Sequence, residues 1–71
     1  MLGNETLFEH TLDKFPLHFY MSDNNYVQLY SCSGYYLVYT YAEGVSSMFF
    51  YVRFDDAQEM YKYSKKCINS I

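Results

Sequence analysis

The sequence predicts a small α+β domain. Its sheet is an antiparallel β-meander of three strands, or four if Leu17–Met21 joins them, flanked by a short N-terminal helix and a C-terminal amphipathic helix. Three observations predict this class. Two runs rich in aromatic and β-branched residues, Tyr26–Cys32 and Tyr35–Ala42, are separated only by Ser33-Gly34, which is the pattern of a hairpin with a two-residue loop. Apolar residues then recur at helical spacing from Ala57 to Ile71. Finally, 71 residues give room for one domain and one core, and no repeat, linker or low-complexity tract divides residues 1–71.

The elements follow in order. Thr6 and Glu9 stand at capping-box spacing, and Phe8, Thr11, Leu12 and Phe15 fall on one face of a helix over residues 6–15. Pro16 ends it, because the residue before a proline avoids the α region. A strand over Leu7–Leu12 is the competing reading of the same stretch. Leu17–Met21 follows as a short strand, with Leu17, Phe19 and Met21 on one side, and Ser22-Asp23-Asn24-Asn25 is a turn by composition. Gly34 supplies positive φ to the central hairpin loop. A further strand is expected over Met48–Phe54. In the C-terminal helix Asp55 or Asp56 is placed as the cap. Ala57, Met60, Tyr61, Ser64, Cys67, Ile68 and Ile71 form the packed stripe, and Lys62, Lys65 and Lys66 face water.

A two-residue loop at Ser33-Gly34 sets the hairpin register: Cys32 opposes Tyr35, Tyr30 opposes Leu37, Leu29 opposes Val38, Gln28 opposes Tyr39 and Tyr26 opposes Tyr41. One face then carries Val27, Leu29, Tyr36, Val38 and Thr40. The other carries Tyr26, Gln28, Tyr30, Tyr35, Leu37, Tyr39 and Tyr41. A one-residue slip would exchange every face. The connection over residues 42–47 decides which set the next strand joins. An odd loop, the expectation favoured here, puts Met48, Phe50, Val52 and Phe54 with the aliphatic set and leaves Tyr51 and Arg53 beside the tyrosines. An even loop, such as Glu43-Gly44 alone, puts Met48 and Phe50 beside the tyrosines and would make that face the core.

The tyrosine face is the most informative feature for function. Ten of the 71 residues are tyrosine and none is tryptophan; an AT-rich genome would also produce this bias. A tyrosine joins a large apolar ring to a polar tip and suits contact surfaces. Five of them, each burying roughly 150–250 Å², exceed the contiguous apolar patch that monomers normally show. The face is therefore expected to be covered by the N-terminal helix, by a second copy or by another protein.

Charge narrows the partner class. Residues 1–52 carry Glu5, Glu9, Asp13, Asp23 and Glu43 against Lys14, and residues 53–71 carry Arg53, Lys62, Lys65 and Lys66 against Asp55, Asp56 and Glu59, for a formal net charge of −3. An acidic body disfavours nucleic acid, where affinity comes from Lys and Arg displacing counterions. It suits a protein partner with a basic patch. Residues 1–10 do not read as a signal peptide and no stretch reads as a membrane span, so a cytoplasmic location is expected, that of the host cell if the chain is phage-encoded. Cys32 and Cys67 are then expected as free thiols.

No catalytic, metal or cofactor pattern is found. His10, His18, Cys32 and Cys67 stand 8, 14 and 35 residues apart, whereas zinc sites want ligand pairs a few residues apart. A Cys–His nucleophile pair lacks an orienting carboxylate or oxyanion site in the pattern. The aromatic strands contain no Lys or Arg, which separates them from base-stacking platforms. The expectation is a protein that is not an enzyme and binds a protein partner through Tyr26, Tyr30, Tyr39, Tyr41 and Tyr51, steered by Glu5, Glu9, Asp13 and Glu43. A homo-oligomer using the same face, or a binder of single-stranded nucleic acid, is the alternative. In size, acidity, AT-biased composition and lack of motifs the chain is similar in type to small phage or mobile-element accessory proteins. That similarity implies binding and blocking a host enzyme or defence complex.

Overall fold

The structure is a computed structural model and describes residues 15–71. Four strands, β1 (His18–Ser22), β2 (Asn25–Cys32), β3 (Tyr35–Ala42) and β4 (Val45–Tyr51), form one antiparallel sheet in the order β1-β2-β3-β4. One helix, α1 (Phe54–Asn69), follows and packs on one face of the sheet. The helix expected over residues 6–15 lies outside the described residues except for Phe15, which is in no regular element.

Three two-residue turns build the meander. Asp23 takes φ 56° in the first, Gly34 takes φ 86° in the second, and Glu43 and Gly44 take φ 52° and 81° in the third. Two successive positive φ values match the right-handed twist of the flanking strands. The hairpin register is the expected one in every pair from Cys32↔Tyr35 to Tyr26↔Tyr41.

The next connection corrects the expectation. Ala42 pairs with Val45 across Glu43-Gly44, so the loop is even, and β4 begins at Val45 and ends at Tyr51 rather than running from Met48 to Phe54. Met48 and Phe50 therefore join the tyrosine face, while Phe49 and Tyr51 join the aliphatic one. Yet the aliphatic face is the one beneath the helix. Val27, Leu29 and Val38 pack with Ala57, Tyr61 and Ile68, and Phe49 and Tyr51 pack around them.

The helix is held by its apolar stripe. Ala57, Tyr61, Ser64 and Ile68 are buried at i, i+4, i+7 and i+11, one side of a 3.6-residue repeat. Cys67 and Ile71, expected in the stripe, are exposed. Asp55 and Asp56 do not cap the helix. Arg53 occupies the N-cap with extended backbone and no side-chain cap bond, and the two acids lie inside the first turn, where they favour the positive end of the helix dipole. Lys65 is only half in water. Its amine sits 4.9 Å over the Tyr20 ring and 5.7 Å over the Tyr61 ring, and the Tyr20 hydroxyl donates to Asn69 Oδ1 at 2.6 Å. These contacts tie β1 to the end of α1.

Candidate functional site

The face opposite α1 is the aromatic one. Alternation along the strands places Phe19 and Met21 of β1, Tyr26, Gln28, Tyr30 and Cys32 of β2, Tyr35, Leu37, Tyr39 and Tyr41 of β3, and Ser46, Met48 and Phe50 of β4 on it. Its rings form two groups. Phe19 stacks on Tyr26 at 6.4 Å between centroids, Tyr26 stacks on Tyr41 at 5.4 Å, and Tyr26 meets Tyr39 tilted at 5.8 Å. Tyr35 and Phe50 form a second tilted pair at 5.8 Å. Offset and tilted contacts at these distances are the favourable arrangements for aromatic quadrupoles.

The face has a floor and a rim. Leu37 is fully buried, Tyr30 is 3% exposed and Tyr39 is 8% exposed. These tyrosines lie along the sheet with their polar tips satisfied. Tyr30 donates to Gln28 Oε1 at 2.7 Å, and Tyr39 donates to Ser46 Oγ at 3.1 Å. The rim projects: Phe19 is 51% exposed, Met21 55% and Phe50 42%. Burial, above all, pushes the Tyr26 phenol up to about 12, helped by its hydrogen bond with Tyr39 and by neighbouring phenols. Burial also raises the Tyr30 phenol.

Of the five anchors expected from sequence, Tyr26, Tyr30, Tyr39 and Tyr41 share this face, with Tyr30 and Tyr39 in its floor. Tyr51 lies on the opposite face, against the helix-covered core, because the Glu43-Gly44 loop is even. Glu43 is exposed at the β3–β4 turn, and its N–H donates to Asn25 Oδ1 at 3.0 Å. The meander brings the Asp23 turn to the same end of the sheet, so Asp23 joins Glu43 there. Glu5, Glu9 and Asp13 lie outside the described residues. Sequence reasoning passed over Phe19, Met21 and Phe50; the signal was the alternation of Leu17, Phe19 and Met21 on a strand short enough to sit at an edge.

Cys32 and Cys67 are not joined in a disulfide. Among the described residues no cluster of His, Cys, Asp or Glu could hold a metal ion, and no helix is long and apolar enough to cross a membrane. No protein-family model, curated protein or solved structure matches the chain.

Proposed function

We propose that this chain is a small binding module that occludes a protein partner with its aromatic sheet face. One observation carries the reading: Phe19, Met21 and Phe50 project from a face whose tyrosine floor is already packed and satisfied. A rigid floor loses little entropy on binding, and projecting apolar groups gain the most by leaving water. The anchors are Phe19, Met21, Phe50, Tyr26 and Tyr41. Asp23 and Glu43 at one end favour a partner with a basic rim. The blocking of a host enzyme or defence complex rests on similarity of type in size and composition alone.

Charge placement supports a protein over single-stranded nucleic acid. Lys62, Lys65 and Lys66 all belong to α1, which packs on the opposite face, so the aromatic rings have no lysine from the helix beside them to neutralise phosphate.

Site-specific photocrosslinking in the native host tests the reading. A benzophenone side chain at Tyr41 is expected to trap one dominant protein, while the same group at Tyr63 on α1 traps none. Phe19→Asp should abolish the Tyr41 crosslink and leave the circular dichroism spectrum unchanged. Equal trapping from both positions, or a crosslink that survives Phe19→Asp in a folded protein, refutes it.

A further inference from the structure

We propose that β1 is an association edge for a second copy of this chain, forming an antiparallel β1–β1 dimer whose two-fold axis passes through Tyr20. The proposal concerns the sheet edge and stands independently of what the aromatic face binds.

The backbone supplies the first argument. Among the described residues β1 lies at one edge of the sheet. Ser22 and Asn25 flank a two-residue loop and pair with each other, and such a flanking pair exchanges both hydrogen bonds. Antiparallel pairs alternate, so Ser22, Tyr20 and His18 direct their backbone groups toward β2. Phe19 and Met21 direct theirs outward. Two N–H and two C=O groups are thus offered at this edge.

The ends of β1 then select the register. Pro16 has no N–H, and the Leu17 N–H is already donated to Leu29 O at 2.7 Å. At the other end Asp23 turns away at φ 56°. Centring the axis on Phe19 would oppose Met21 with Leu17 of the second copy, and the Met21 carbonyl would meet an N–H that is in use. Centring it on Tyr20 opposes Phe19 with Met21 of the second copy, and all four outward groups of each chain are paired.

The side chains agree with that register. Phe19 and Met21 are each about half exposed, and the dimer sets their flanks side by side in two Phe–Met cross-strand pairs, a favourable sulfur–aromatic combination. Natural edges are commonly protected by charge, especially lysine; His18–Ser22 contains no Lys, Arg, Asp or Glu. The β4 edge, Val45–Tyr51, also contains no charged residue, but it ends next to the exposed Arg53, Asp55 and Asp56. An antiparallel pair within one sheet has its axis perpendicular to the sheet. Both helices therefore fall on one side, and the two aromatic faces join into one surface of twice the area. The contact is isologous and closes at two copies. A short ribbon lies at the small end of interfaces, so association is weak and concentration-dependent.

Sedimentation velocity on the full chain across a concentration series, combined with thiol trapping, tests the proposal. The mass is expected to rise from 8.5 kDa toward twice that value, and Phe19→Lys with Met21→Lys should hold it at the single-chain mass with an unchanged circular dichroism spectrum. In a Cys32→Ser, Cys67→Ser background, Tyr20→Cys should oxidise to a disulfide-linked dimer and Phe19→Cys should not, because only residue 20 faces its own copy. Should the lysine variants fail to fold, the thiol pair decides. A single-chain mass at every concentration, assembly that persists in the folded lysine variants, open-ended growth beyond two copies, or trapping at residue 19 rather than 20 each overturns the proposal.

Discussion

On the helix side of the sheet the central positions are Val27, Leu29 and Val38; on the other side they are Leu37, Tyr30 and Tyr39, and all six are buried. The two sets reach burial by different means. The aliphatic residues have no side-chain polar atom to satisfy, so a helix can seal them from water at no hydrogen-bonding cost. Each tyrosine must place a hydroxyl, and Tyr30 and Tyr39 do so by lying along the sheet to reach Gln28 and Ser46. A face built in this way is packed at its centre and carries its own polar atoms, which suits a surface that meets a partner and releases it.

Matched truncations on the two faces give the largest effect. Leu29→Ala empties a site enclosed by the helix and is expected to cost about 4 kcal/mol, in the upper part of the usual range for buried leucine. Leu37→Ala should cost about 2 kcal/mol, because tilted rings can relax into the gap more readily than a helix can. Urea unfolding measures both. Equal losses would mean the two faces are cores of the same kind.

Alkaline titration sharpens the contrast, since ionisable groups dominate only one of the two sets. Tyr26 is held at about 12 in the folded chain against an ordinary value of 10.0, chiefly by burial, and Tyr30 moves the same way for the same reason. A raised phenol binds its proton more tightly folded than unfolded. Its contribution is therefore complete below pH 10 and is lost as pH rises through the folded value. The urea midpoint should hold up to about pH 10 and fall between about pH 10 and about pH 12, and Tyr26→Phe should flatten that fall. An unchanged slope in the variant would place the titrating group elsewhere, with Tyr61, raised by its burial under the helix, the first alternative.

The polar tips themselves carry a smaller term. Tyr39→Phe removes the bond to Ser46 while keeping the ring, and a loss of about 1 kcal/mol is expected. Ser46→Ala should cost a similar amount, and the double variant less than the sum, since the two act through one bond. Additive losses would show that the hydroxyl is satisfied by another group.

The central hairpin was legible because a two-residue loop leaves one register, and Ser33-Gly34 offers no other length. The placement of β4 was not. Glu43 is not a residue that signals a left-handed turn, so the odd loop was favoured over the even Glu43-Gly44 loop, and Tyr51 was assigned to the wrong face. The helix cap failed for a related reason: with β4 ending at Tyr51, the chain turns at Val52 and Arg53, and Asp55 and Asp56 fall one step inside the helix. The aromatic series was visible in Tyr26, Tyr39 and Tyr41. Its exposed rim was not, because exposure at Phe19, Met21 and Phe50 depends on sheet order rather than on local pattern.

Glu43 is therefore where the division of the sheet into two faces can be adjusted most finely. Its left-handed φ of 52° is one that a residue with a Cβ ordinarily adopts at a cost of about 1–2 kcal/mol. Asparagine bears that conformation more easily, and Asn-Gly is the favoured pair for a loop with two positive φ values. Glu43→Asn should stabilise the domain by about 0.5 kcal/mol and raise Tm by a few degrees, keeping the even loop and the N–H bond to Asn25. The same variant removes one of the two acids at that end of the sheet. If occlusion of a basic-rimmed partner is the function, the more stable protein should bind more slowly at low salt, with little change in how fast the complex dissociates. A change confined to dissociation would mean that Glu43 touches the partner instead of steering it.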